Sequence, residues 1–333
     1  MVLLITVKTG GCPMIEIKNL SKKYGNHIAV KNIDFVVNDG EILGLLGLNG
    51  AGKSTIMNII TGYLSMTTGS VEINGYDILL NPAEAKKHIG YLPELPPLYP
   101  DMTVKEYLYF MYDLKKVRLP KAPHIEEICK LVKIDNVYNR LIKNLSKGYR
   151  QRVGIAQTLL GNPDVIILDE PTVGLDPKQI IEVRNLIHHL GKNHTVIVSS
   201  HILSEIQSVC DRIIVINGGS IIADGKPNEL SKMIAGGGNL TLRIKGEDNA
   251  LRVSCMKLIS SIKGVLDVSS IGSFEDGTTD FSIDFDVDAD VRAEIISRLT
   301  EQKYVVLSLK EAEFDLEQIF LRLTNKNNKE KEE

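Results

Sequence analysis

The stretch that most constrains this 333-residue chain is Gly47-Leu48-Asn49-Gly50-Ala51-Gly52-Lys53-Ser54. It follows a nearly all-apolar run at 41–46 and leads into helical sequence from Lys53 to about Thr61. A strand buried on both faces reads as such a continuous apolar run, so 41–46 predicts a central strand of a parallel sheet. The glycines let backbone N–H groups turn inward around an anion. A helix beginning at Lys53 points its positive end at the same place. The pattern GxxxxGK[ST] is thus a phosphate-binding loop. Lys53 is placed to bridge β- and γ-phosphates, Ser54 to hold Mg²⁺, and Thr55 to reach the α-phosphate.

A second constraint lies at Val165-Ile166-Ile167-Leu168-Asp169-Glu170. An apolar strand here delivers two carboxylates at its C-terminal end, where α/β sheets hold their ligands. Asp169 is placed to bind Mg²⁺ through water, and Glu170 to polarise a water in line with the γ-phosphate. Around these motifs strands and helices alternate. Short strands fall within 15–46, with a turn at Asn38-Asp39-Gly40. A strand and turn follow at 70–78, a short helix at 83–88 and a strand at 89–94. Beyond the acids come a helix at 177–190, a strand at 195–199, a helix at 202–210 and a hairpin around Gly218-Gly219. That alternation predicts a parallel α/β sheet. Residues 103–160 interrupt it with helix spacing at Val104, Leu108, Met111 and Tyr112, which predicts an inserted helical subdomain at about 95–160.

Three further motifs complete a series: Leu145-Ser146-Lys147-Gly148-Tyr149-Arg150-Gln151-Arg152, Gly174-Leu175-Asp176-Pro177 and Ser199-Ser200-His201. In this order, residues 14–235 resemble the ATPase domain of the ATP-binding cassette (ABC) family, a P-loop NTPase fold. The resemblance implies ATP as substrate, Mg²⁺ as cofactor and hydrolysis to ADP and phosphate, with Glu170 and His201 catalytic. Residues 145–152 resemble the LSGGQ signature, whose Ser and Gly, here Ser146 and Gly148, contact the γ-phosphate of ATP held by the opposite subunit. Lys147 and Tyr149 depart from its commonest form. Asp176 falls in the D-loop, which crosses between subunits, and Pro177 equally suits the first turn of a helix. His201 matches the switch histidine on the γ-phosphate, and Tyr24 the aromatic that stacks on adenine. Where the family usually has a Gln that meets Mg²⁺ and the water, this chain has Glu94, a carboxylate that can also ligate Mg²⁺. Some single-domain members serving exporters are similar to this GYLPE form.

A single cassette per chain implies dimerisation, with itself or with a paralogue, and a separate membrane-spanning permease. Closure on ATP and reopening after hydrolysis would pull on that partner. Its docking surface is expected on the helical block and the loop after Glu94, which puts the chain in the cytoplasm, peripheral on the cytoplasmic face of the cell membrane. The run Phe314-Asp315-Leu316-Glu317-Gln318-Ile319-Phe320 resembles the tail of subunits that serve ABC-2-type exporters. One alternative is a non-transport ABC ATPase acting on ribosomes or DNA, but such proteins carry two cassettes or long coiled coils. The net charge of −3 also lacks a basic excess, so no nucleic acid is expected. A second alternative, a binding module that no longer hydrolyses, is opposed by Glu170 and His201. No apolar run approaches the roughly 20 residues of a membrane-spanning helix. Cys12, Cys129, Cys210 and Cys255 form no CxxC pair, which points away from disulfides and zinc.

Ala235-Gly236-Gly237-Gly238 reads as a linker. Beyond it strands at 240–244, 265–270, 280–286 and 304–309, with helices at 250–262 and 290–302, predict a βαββαβ order. This is a small α+β, ferredoxin-like C-terminal domain at 239–324, closed by a last helix at 314–324. It carries no nucleotide motif, so a packing or dimer-contact role is expected ahead of a ligand sensor. The polar tail 325–333 is expected to be disordered. Residues 1–7 lack both the basic segment and the apolar length of a signal peptide, and because Met14 stands just before the first strand, residues 1–13 are read as an upstream-start extension or a tag remnant outside the fold.

Overall fold

The computed structural model describes residues 13–227, 230, 238–273, 275–286 and 289–311. The chain forms two compact units, divided after Pro227. The first contains β1 (Ile15–Tyr24), β2 (His27–Val37), β3 (Ile42–Leu46), α1 (Lys53–Ile60), β4 (Thr68–Ile73), β5 (Tyr76–Asp77), α2 (Pro82–Lys87), β6 (Ile89–Leu92), α3 (Val104–Leu114), α4 (Lys121–Leu131), α5 (Lys147–Leu159), β7 (Val165–Leu168), α6 (Pro177–Leu190), β8 (Thr195–Ser200), α7 (Leu203–Gln207), β9 (Arg212–Asn217) and β10 (Ser220–Gly225).

Two sheets organise this unit: an antiparallel one in the order β2-β1-β4-β5, and a six-stranded one in the order β10-β9-β3-β8-β7-β6. In the larger sheet β9, β3, β8, β7 and β6 run parallel, and β10 pairs antiparallel at the edge. Every residue of β3, β7 and β8 is buried, which is why β3 and β7 read as unbroken apolar runs. A core of Ile15, Ile17, Leu43, Leu45, Ile56, Ile167 and Ile197, among others, joins the two sheets to α1. Helices α3, α4 and α5 make the inserted block. The Thr103 hydroxyl and the Glu106 carboxylate close a reciprocal capping box at the start of α3.

The turn expected at Asn38-Asp39-Gly40 is present, and it separates strands of different sheets: β2 pairs with β1, and β3 pairs with β8 and β9. The reason is burial. β2 mixes buried and exposed positions, whereas β3 is covered on both faces, so the two suit different sheets. Helix α7 is shorter than the expected 202–210. The chain leaves it to enter β9, with Asp211 N–H bonded to Ile42 O at 2.9 Å. Cys129, Cys210 and Cys255 are free and buried.

The second unit contains β11 (Gly238–Lys245), α8 (Asn249–Ser260), β12 (Val265–Gly272), β13 (Thr278–Phe285), α9 (Arg292–Glu301) and β14 (Val306–Glu311). Its sheet order is β12-β13-β11-β14 with all neighbours antiparallel, the ferredoxin-like arrangement. Leu240, Leu242 and Ile244 alternate with polar residues along β11. They pack with Phe281, Ile283, Ile259, Ile295 and Leu299 into a core of their own. On β13 the fully buried Asp280 accepts a 2.8 Å bond from Arg243 Nε. Residues 1–12, most of the glycine linker, the helix expected at 314–324, the exporter-like run at 314–320 and the tail lie outside the described residues. Among the described residues no helix is long and apolar enough to cross a membrane.

Candidate active site

Adjacency in the larger sheet builds the site. Because β3, β8, β7 and β6 are parallel neighbours, their C-terminal ends share one edge of the sheet. That edge receives the glycine-rich loop after β3, His201 after β8, Asp169 and Glu170 after β7, and Glu94 beyond β6.

Residues 47–52 carry the chain from β3 into α1. Gly52 has φ +112°, and a Cβ there would stand 2.8 Å from Ala29 O, so both the turn and the close approach require glycine. Lys53 is only 5% exposed, and its Nζ donates to Gly47 O at 2.6 Å and Leu48 O at 3.3 Å. The lysine thus folds the loop around its own ammonium. Gly47 and Ala51 are buried with it, Leu48, Asn49, Gly50 and Ser54 are exposed, and Thr55 is half-buried. The first turn of α1 holds no acidic residue and no side-chain cap. Its positive end therefore faces an anion without a competing carboxylate.

Asp169 and Glu170 are 2% and 6% exposed. Ser199 at the end of β8 ties them together. Its Oγ donates to Asp169 Oδ1 at 2.5 Å and accepts the Glu170 N–H at 2.9 Å. Glu170 adopts a left-handed backbone, φ +48°, a conformation costing a non-glycine residue about 1–3 kcal/mol and typical of functional positions. Its Oε2 lies 2.9 Å from His201 Nδ1 and its Oε1 lies 3.3 Å from Lys53 Nζ. The Oε1 atom is buried and makes no hydrogen bond, so the lysine pairs with it by charge while directing its own N–H groups at the loop carbonyls. Lys53, Glu170 and His201 therefore form one connected group, with Asp169 joined through Ser199.

Two contributors were not assigned roles from sequence. Ser199 stood inside a quoted motif, and its position at the end of a buried strand beside the acids was the available signal. Tyr91 in β6 had none. Its hydroxyl donates to Asn58 Oδ1 on α1 at 3.1 Å, and burial, with a smaller contribution from the Asp169 charge, pushes its phenol well above the ordinary range. It therefore stays a neutral donor linking β6 to α1. His194 is half-buried with Nδ1 2.7 Å from Pro163 O.

The other residues singled out stand apart from this group. Tyr24 is 47% exposed, with Lys22 Nζ 5.2 Å from its ring centre. Glu94 is exposed and makes no hydrogen bond or ion pair among the described residues. Ser146, Gly148 and Asp176 form a second cluster. Ser146 caps α5 and Asp176 caps α6. A Cβ on Gly148 would stand 2.5 Å from Gln179 Oε1, and one on Gly174 would overlap Lys147 Nζ. No hydrogen bond or ion pair joins this cluster to Lys53, Glu170 or His201 among the described residues.

A metal fits the site only in company. Among the described residues no group of three or more His, Cys, Asp or Glu is arranged to hold a metal ion by itself, while Asp169 has one oxygen engaged by Ser199 and no hydrogen bond to the other. One carboxylate beside a phosphate loop is the donor set of Mg²⁺, which takes most of its ligands from phosphates and water.

Residues 30–173 match the ABC transporter family. The chain is 32% identical over 317 residues to the linearmycin resistance ATP-binding protein LnrL of Bacillus subtilis, covering 94% of this chain and 99% of the relative. It is 38% identical over 221 residues to the bacitracin transport ATP-binding protein BcrA of Bacillus licheniformis, covering 66% and 72%. The structure resembles the dimeric post-hydrolysis state of the ATP-binding cassette MJ0796 bound to ADP and Pi. There the TM-score is 0.59 at 29% identity, covering 64% of this chain and 99% of that one.

Proposed function

The chain belongs to the ATP-binding proteins of ABC transporters and hydrolyses ATP to drive transport, and from that premise we propose that Lys53, Glu170 and His201 act together in that hydrolysis, in a subunit powering an ABC-2-type exporter. The observation that carries the reading is the buried Glu170 carboxylate, with one oxygen 3.3 Å from Lys53 Nζ and the other 2.9 Å from His201 Nδ1. A carboxylate so placed stands beside the cation that receives the γ-phosphate and can polarise a water for in-line attack.

In the proposed step the water oxygen bonds to the γ-phosphorus and the water's proton passes to Glu170. The bond from that phosphorus to the β–γ bridging oxygen breaks, and ADP leaves with its electron pair. Lys53 exchanges the carbonyls of Gly47 and Leu48 for β- and γ-phosphate oxygens. The N–H groups of Gly47, Leu48, Asn49, Gly50, Ala51 and Gly52 cradle the phosphates, Thr55 reaches the α-phosphate and Tyr24 stacks on adenine. His201 turns from Glu170 to the γ-phosphate. Ser54, Asp169 and Glu94 would hold Mg²⁺, which would supply positive charge to offset that of the phosphates.

Ser146, Gly148 and Asp176 serve the nucleotide of a second cassette, a copy of this chain or a paralogue. The resemblance of 145–152 to the signature and of 174–177 to the D-loop supports that division. The exporter reading rests on similarity along almost the whole chain to a resistance protein, a role that outward transport serves. The permease docks on the helical block and the loop after Glu94, on the cytoplasmic face of the membrane. Support comes from Leu95, Tyr99 and Phe110, which are exposed there, the last two packed edge-on with ring centres 5.5 Å apart.

Glu170→Gln tests the reading. It keeps the phosphate contacts but removes the base, so it should bind ATP, give an ATP-stabilised dimer in size-exclusion chromatography and not turn ATP over. Hydrolysis near the wild-type rate would show that another group takes the proton.

A further inference from the structure

Backbone pairing does not hold Glu170 beside His201. The last paired residues of β7 and β8 are Leu168 and Val198, and both functional side chains stand beyond them. Side chains close the gap in two steps. Ser199, with Asp169 and the Glu170 N–H, is the first. The second is Glu205 of α7, which is 8% exposed and accepts on one oxygen, Oε2, from Thr172 Oγ1 at 2.5 Å and from Ser200 Oγ at 3.2 Å. Thr172 lies two residues past Glu170, in a turn whose Val173 N–H reaches Glu170 O at 3.2 Å. Ser200 immediately precedes His201, and its Oγ also accepts the Ile202 N–H at 3.0 Å. Glu205 thus grips the chain next to both reacting groups at once.

The chemistry of this grip is unusual for a purely structural contact. Glu205 makes no ion pair among the described residues, and its side chain is held by two neutral hydroxyls. Arg184 lines the same small cavity with its Nε buried and unbonded. A carboxylate removed from water without a direct ion pair is disfavoured relative to an apolar side chain of similar size. Packing alone therefore gives no reason for an acid here, whereas an acceptor able to take two hydroxyls on one atom does.

We propose that Glu205 is a positioning residue for ATP hydrolysis. It clamps the 170–172 turn to the 200–202 segment, so that the Glu170 carboxylate and His201 meet the γ-phosphate in fixed relation. The proposal rests on the roles of Glu170 and His201 given above. Reacting groups displaced by about an ångström lose on the order of a hundredfold in rate while binding survives, so a clamp of this kind acts on kcat.

The experiment is steady-state ATP hydrolysis by the full chain carrying Glu205→Ala, Glu205→Gln, or Thr172→Val with Ser200→Ala. Glu205→Ala should lower kcat about ten- to a hundredfold with KM for ATP within about threefold of wild type. Glu205→Gln, whose amide oxygen can accept both hydroxyls, should regain most of the turnover. The double hydroxyl variant should be as slow as Glu205→Ala, and combining all three should slow it no further. A wild-type kcat in Glu205→Ala overturns the proposal, as does a change confined to KM, or a folded Glu205→Gln no faster than the alanine variant. If Glu205→Ala does not fold, the glutamine and hydroxyl variants decide in the same way. Glu170→Gln separates the two readings. Normal turnover in that variant removes the catalytic assignment itself, whereas an inactive Glu170→Gln beside a normal Glu205→Ala removes only the clamp.

Discussion

Lys53 does two jobs whose energies oppose each other. In the free chain its ammonium bonds the Gly47 and Leu48 carbonyls and neutralises Glu170. In the proposed complex it must trade those carbonyls for phosphate oxygens. Charge-assisted bonds contribute about 1.5–3 kcal/mol each, and only the excess over the bonds given up appears as affinity. Lys53→Ala is therefore expected to weaken ATP binding by about tenfold, near 1.4 kcal/mol, as read by isothermal titration. Unchanged affinity would remove the phosphate-loop assignment. At this scale the sequence was informative wherever a functional type sat in a short pattern, as with Lys53, Asp169, Glu170 and His201. It was silent where the role depends on contact across the sheet. Nothing near Tyr91 or Glu205 in sequence marks the hydroxyl or carboxylate as a neighbour of the acids, because the contacts of Tyr91 with Asn58 and of Glu205 with Thr172 each span 33 residues.

Between elements, β6 lies closely against α5. A Cβ on Gly90 would overlap the Thr158 carbonyl oxygen, a backbone atom that no rotamer change can move. Gln157 Nε2 adds a 3.0 Å bond to Tyr91 O at the same place. Gly90→Ala must push the helix off the strand, and overpacking of this sort costs about 1–3 kcal/mol. Urea unfolding should register that loss. ATP turnover should fall with it, since β6 leads to Glu94 and α5 begins at the signature. A variant as stable as wild type would mean that helix and strand are not held this closely. Central strands such as β3 and β7 were readable because burial on both faces leaves an apolar run. The partition of β2 and β3 between two sheets was not, since a turn sequence fixes a change of direction and leaves open which strand is paired next. The end of α7 was equally hidden, being set by the entry into β9.

At the scale of the molecule, the strand ends that carry the nucleotide motifs and the core beneath them precede Pro227, while the βαββαβ unit packs a separate core around Phe281 and Ile295. A chain ending at Pro227 should therefore bind ATP within about threefold of the full protein, and sedimentation should show weaker self-association. Loss of ATP binding by a folded truncation would mean that the second unit completes the site. Both alternations were legible in sequence, and so was the need for a second copy, because one chain carries one phosphate loop and one signature. If one chain's signature serves the other's phosphate loop, then Ser146→Arg and Lys53→Ala should each be nearly inactive for different reasons. The first keeps its phosphate loop and spoils its partner's site, and the second does the reverse. In a mixed dimer, the intact loop of the first faces the intact signature of the second, and both defects fall in the other site. Random pairing makes half the dimers mixed, each with one sound site of two, so an equal mixture should recover about a quarter of wild-type hydrolysis. The measurement is ATP turnover of the mixture against each variant alone, with dimerisation checked by sedimentation. A mixture no more active than its components, while both still dimerise, would mean either that each chain completes its own site or that the two sites fire only together. A covalently linked dimer carrying Lys53→Ala in one half only separates these, because joint firing leaves it inactive and self-contained sites leave it half active.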